Sequence, residues 1–135
     1  MNYIILFRSL NINQRNLKME ELKTFFLSLG FNKVETIIQS GNVIVESNRD
    51  SQELELFIEE KFKLNFNFES KVFVRNLSEM ENLLKDYPFN DEQVIPYTSK
   101  DPEVEHQYIV FLKEPCPKHL EDSLSTDNDC VIIHD

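Results

Sequence analysis

The sequence predicts an α+β domain built around a βαββαβ unit. Three observations carry that expectation: a continuous apolar run near the start, two stretches whose apolar residues recur at three and four positions, and a Ser-Gly-Asn turn between two β-rich segments. The first strand is read over residues 2–8, where Tyr3 to Phe7 are all apolar, as suits a strand covered on both faces. From Lys18 to Leu29 the spacing of Met19, Leu22, Phe25, Phe26 and Leu29 places them on one helical face. Gly30 followed by Phe31 is a stop signal, because glycine accepts the left-handed cap and the next apolar side chain folds back onto the last turn.

Val34 to Gln39 and Val43 to Ser47 read as the two strands of a hairpin closed by Ser40, Gly41 and Asn42. Asp50 with Glu53 has capping-box spacing ahead of Leu54, Phe57, Ile58 and Phe62, so a second helix follows. Lys71 to Arg75 supplies a fourth strand. Ser78 with Glu81 is expected to open a third helix that carries Met80, Leu83 and Leu84 and ends at Tyr87-Pro88. Residues 88–105 are polar, hold three of the five prolines and lack a period, which marks a connecting loop. Beyond it, Gln107 to Leu112 reads as a strand, Lys118 to Leu124 as a short helix and Cys130 to His134 as a strand. The expected organisation is therefore a unit over 1–87, a loop over 88–105 and a partial β-α-β subdomain over 106–135, packed on the first.

Composition narrows the function classes. The chain has 135 residues, 41% of them hydrophobic, with 11 Phe. A domain of this size buries about two thirds of its unfolded surface, so no disulfide or metal is needed to hold it. Cys116 and Cys130 have no Cys-x-x-Cys or His-rich spacing, and they read as reduced structural thiols. No cofactor or metal is called for. The first apolar run is too short for a signal peptide or a membrane span, which points to the cytoplasm and away from a membrane partner.

The net charge of −10 argues against nucleic acid as a partner, since that affinity rests on Lys and Arg neutralising phosphates. Charge is uneven along the chain, however. Residues 1–50 hold six bases against five acids, leaving eight bases against nineteen acids in 51–135. Arg8, Arg15 and Lys18 cluster with no acid among them, a positive spot on an acidic body that suits a small anion.

The right-handed crossover makes strands one and two parallel, and the hairpin sets strand three antiparallel to strand two. With strand three between them the sheet is ferredoxin-like, of order 4-1-3-2. The loop 9–17 and the hairpin tip 39–42 then face each other on one rim. Their candidate ligand-binding groups are Arg8, Asn11, Arg15, Lys18, Gln39, Ser40 and Asn42, joined by Asn13, Gln14 and Asn16. Amide, hydroxyl and cationic groups beside a helix N-terminus suit a phosphate or carboxylate. The same residue types also serve as plain turn and cap residues, Asn16 as a helix cap among them.

Catalytic sets are missing from the pattern. His106, His119 and His134 lack ligand spacing, no Gly-x-Ser-x-Gly or Walker motif occurs, and Glu20/Glu21 and Glu59/Glu60 read as solvated helix faces. The third strand, Val43-Ile44-Val45-Glu46, also lacks the aromatics that RNA-binding sheets of this type display.

Tyr3 to Met19 with Arg8, Asn11 and Lys18-Met19, the run Thr36-Ile37-Ile38-Gln39-Ser40-Gly41-Asn42-Val43, Tyr87-Pro88-Phe89, and Tyr108 to Leu112 leading to Glu114-Pro115 together resemble the bacterial domain-of-unknown-function family 1697. Its R-G-I-N-V-G-G loop and T-Y-I-Q-S-G-N-V signature are the motifs matched. The resemblance implies a cytosolic α+β protein and no particular activity. Two departures stand out: Ser9 and Asn13-Gln14 replace loop glycines, and the chain stops at Asp135, where the family continues into a basic G-R-S-K segment, as a shortened member would.

The leading expectation is a non-catalytic domain that binds a small anionic or phosphate-bearing ligand at the rim. A second is an acylphosphatase-like hydrolase with Arg8 or Arg15 clamping a phosphoryl group and Asn42 orienting water. A third is an interaction module whose apolar sheet face meets a protein partner or forms a homodimer.

Overall fold

In the computed structural model, residues 1–8, 10, 17–37, 41–87, 89, 92 and 108–125 are described. β1 (Asn2–Phe7) leads to α1 (Met19–Ser28), then β2 (Val34–Ile37), β3 (Asn42–Glu46), α2 (Ser51–Phe66), β4 (Val72–Asn76) and α3 (Leu77–Lys85). All three sheet pairings are antiparallel. The strand order is β2-β3-β1-β4, which counted from the opposite edge is β4-β1-β3-β2.

Alternation along the strands divides the sheet into two unlike faces. Tyr3, Ile5 and Phe7 of β1, Val43 and Val45 of β3, and Val72 and Val74 of β4 are buried with Leu22, Phe25 and Phe26 of α1 and Leu54, Ile58 and Phe62 of α2. Phe62 is the hub, with ring centroids 5.2 Å from Phe7, 5.8 Å from Phe25, 4.7 Å from Phe66 and 5.1 Å from Phe68. The tilted and edge-on angles suit aromatic quadrupoles better than flat stacking. Ile4, Leu6, Ile44 and Phe73 lie on the other face and are half-buried, with α3 packed against β4 and β1.

Helix ends follow local chemistry. α1 stops as expected: Gly30 takes φ 90°, the Phe31 N–H donates to Phe26 O at 3.4 Å, and the Phe31 ring packs 5.6 Å from Phe26. Asp50 caps α2 by accepting from the Glu53 N–H at 2.9 Å, and Asn67 closes it in the left-handed region at φ 58°. α3 begins earlier than the Ser78/Glu81 spacing predicts. Asn76 accepts from the Glu79 N–H at 2.9 Å, and Glu79 accepts from the Asn76 N–H at 2.6 Å. This reciprocal box satisfies two end donors immediately after β4, so no residues remain for a linker.

α2 also closes the outer edge of β4. The Val74 N–H donates to Glu55 Oε1 at 2.9 Å and the Val72 N–H to Glu59 Oε1 at 3.1 Å. Glu55 and Glu59 are one helical turn apart, so a single face of α2 reaches both outward donors. Lys71 Nζ lies 2.8 Å from Glu59 Oε2, and Arg75 lies 3.6 Å from Glu55. Glu59 is thus not the solvated acid that its Glu59/Glu60 pairing suggests. Only 14% of its side chain is exposed, against 65% for Glu60.

The chain divides into two compact units, Met1–Lys85 and Asp86–Asp135. In the second, a 3₁₀ turn (Lys118–Leu120) runs into α4 (Glu121–Leu124), matching the short helix read there. The strand expected over Gln107 to Leu112 is not formed at its described residues. Tyr108 to Leu112 are not in a strand, and Tyr108, Ile109, Val110 and Leu112 are exposed. Apolar, β-favouring composition sets a preference, whereas a strand exists only through its pairing. Cys130 to His134 and most of 88–105 lie outside the described residues. The expected β-α-β subdomain is therefore represented by its helical part.

Candidate functional site

The rim at the C-terminal end of β1 is built from backbone outward. Arg8 follows the last residue of β1 yet stays in register, since its N–H donates to Lys71 O at 2.8 Å and its carbonyl accepts from Ser70 Oγ at 2.7 Å. Two anchors thus fix its main chain while the residue is exposed. Asn42 pairs with Leu6 across β1 and β3. Strand alternation puts Leu6, Arg8 and Asn42 on the same, more open face.

Leu10, after β1, and Gly41, before β3, meet in an apolar contact. Gly41 has φ 86°, and a Cβ built on it would overlap Leu10 Cδ1 and lie 3.5 Å from Phe7 Cβ. Leu10 is 2% exposed and Leu17 is 9% exposed, so both loop leucines are core residues. Gly41 therefore answers two demands at once, positive φ and room for Leu10. The sequence reading passed over Leu10. In the sequence it is a leucine between Ser9 and Asn11 in a largely polar stretch, without the spacing that marks a helix or strand face.

The helix N-terminus offers less to an anion than the sequence suggests. The N-cap of α1 is Lys18, and Glu21 Oε2 accepts from the Lys18 N–H at 2.9 Å. With Glu20 and Glu21 both in the first turn, the positive end of the helix dipole already has negative partners. The Lys18 side chain is exposed. Of the seven candidate residues, Arg8, Lys18 and Asn42 are placed; Asn11, Arg15, Gln39 and Ser40 lie outside the described residues. Among the described residues, no carboxylate forms an ion pair with Arg8 or Lys18.

A shallow groove crosses the open face beside β2 and β3. Its apolar lining is Ile4, Ile44 and Leu77, and its polar side is Lys33, Glu35 and Glu46. Lys33 Nζ sits 2.9 Å from Glu46 Oε2. That hydrogen bond and its charge hold the Glu46 carboxyl below its usual range and raise the Lys33 ammonium above its own. Lys63 lowers Glu69 by the same means, across 2.6 Å. Among the described residues there is no group of three or more metal-ligating side chains, and no helix is long and apolar enough to cross a membrane.

A four-stranded antiparallel sheet with two helices buried on one face and a cationic rim at the end of its first strand defines a small α+β domain with a polar rim. The family described as "Protein of unknown function (DUF1697)" matches residues 1–131, and the chain belongs to that family. No curated protein and no solved structure matches it.

Proposed function

We propose that the chain is a non-catalytic cytoplasmic domain that binds a small anionic, phosphate-bearing ligand on a ferredoxin-like frame, at the rim of Arg8, Lys18 and Asn42 with Asn11, Arg15, Gln39 and Ser40. The supporting observation is Arg8: an exposed cation with its main chain held on both sides by Lys71 and Ser70 and, among the described residues, no carboxylate paired with it. A guanidinium on a fixed backbone loses less freedom when it grips a phosphate, and its planar fork matches two phosphate oxygens.

A thermal-shift series with inorganic phosphate, pyrophosphate and nucleotides tests this reading. Ligand bound only to the folded state raises the melting temperature. At least one of these anions should stabilise the protein, and Arg8→Ala should weaken that ligand by about tenfold or more, the scale of a lost charge-assisted contact. If none of them shifts the melting temperature, the reading fails. The placement of Arg8 and Asn42 on one face also accommodates the acylphosphatase-like alternative. That alternative requires turnover of an acyl phosphate that disappears in Asn42→Ala.

A further inference from the structure

The opposite corner of the sheet, away from the anion rim, carries a different inference. Ladder polarity fixes which backbone groups of β2 point outward. The N–H groups of Val72 and Val74 leave the sheet toward α2, so Phe73 and Arg75 bond β1 through Leu6 and Ile4. Val43 and Val45 consequently face β1, and Asn42 and Ile44 face Ile37 and Glu35 of β2. Val34 and Thr36 are left pointing outward. Val34 is buried, so the accessible edge runs from Glu35 to Ile37, with the Thr36 N–H and C=O at its centre.

Glu35 and Ile37 are exposed on the face that carries the groove of Ile4, Ile44 and Leu77. Lys33 is engaged with Glu46, which leaves Glu35 as the charge without an ion pair among the described residues on the groove's polar side. We propose that this corner is a docking site for an extended, basic segment of a partner protein. The segment would pair its backbone with Thr36 and set Lys or Arg side chains on the face of Glu35, with its intervening apolar side chains on the face of Thr36. Added strands of this kind take affinity from the main chain and specificity from alternate side chains. A second copy of the chain is the poorer occupant. Two molecules of net charge −10 repel each other.

The test uses a labelled short peptide alternating Lys and Val and its Glu-for-Lys counterpart, read by fluorescence anisotropy and by amide hydrogen exchange of the protein. The basic peptide should bind the better of the two and slow exchange at the Thr36 amide. Glu35→Lys should weaken the basic peptide and favour the acidic one, each by about fivefold. Thr36→Pro removes the outward donor and should abolish binding of the basic peptide while circular dichroism stays that of the folded chain. Should Thr36→Pro fail to fold, the Glu35→Lys exchange of preference decides. Equal binding of both peptides, unchanged Thr36 exchange, or Thr36 protection that grows with protein concentration alone would each overturn the proposal.

Discussion

At the β4 edge of the sheet, Glu55 and Glu59 reach back from α2 to take the outward N–H groups of Val74 and Val72, whereas at the β2 edge no described residue covers Thr36 in this way and Glu35 stands exposed. Both edges carry acid, but it acts differently at each. On the neighbouring helix a carboxylate becomes the strand's missing acceptor and fills the place of a fifth strand. On the strand itself it leaves the hydrogen-bonding groups alone and only selects what charge can approach. Protection by capping and protection by charge are separable ways of managing an edge.

The comparison breaks most severely at α2's anchor. Phe62→Ala should cost about 3–5 kcal/mol in urea unfolding, since the ring is fully buried among four other Phe side chains and its loss leaves a cavity. The same helix carries Glu55 and Glu59, so the closed edge depends on that packing. Glu55→Ala comes next, at about 2–3 kcal/mol, because the Val74 N–H is left buried without an acceptor. Glu55→Gln keeps a carbonyl oxygen and should cost about 1 kcal/mol. If the two substitutions cost the same, the capping bond is not what Glu55 contributes.

On the open side, Thr36→Pro should cost only about 1 kcal/mol, because its N–H bonds nothing in the sheet, and Val74→Pro should cost clearly more. The smallest effect is that of the exposed Lys33–Glu46 pair. Glu46 titrates below its unfolded range, so its contribution is present above the unfolded pKa and fades as pH falls through the folded one. Lys33 titrates above its unfolded range, so its contribution holds below the unfolded pKa and fades as pH rises through the folded value. Stability curves of the native chain and Lys33→Met should therefore converge in strong acid, and added salt should shrink their difference at neutral pH.

Much of the first unit was legible because its signals are local and repeated. Leu22, Phe25 and Phe26 announce a helix face, and Gly30-Phe31 its stop; the chain obeys both. Glu55 and Glu59 were not legible as edge caps, since their partners lie 19 and 13 residues away and the sequence shows only acids on a helix. Tyr108 to Leu112 misled for the converse reason. Their composition favours a strand, but pairing is a relation between segments that composition does not encode. For the candidate site, the cationic residues could be read directly. The acid that closes on the α1 N-terminus, Glu21, could be seen only once Lys18 was placed as the cap.

Leu10 lodged against Gly41 gives the rim a mechanical character. Leu10 and Gly41 are consequently coupled, and a substitution at either end of the contact is felt at both. Gly41→Ala should displace Leu10 and shift the amide resonances of Phe7, Arg8 and Asn42 together, so that the loop's tightness is set by a glycine more than thirty residues away in the chain.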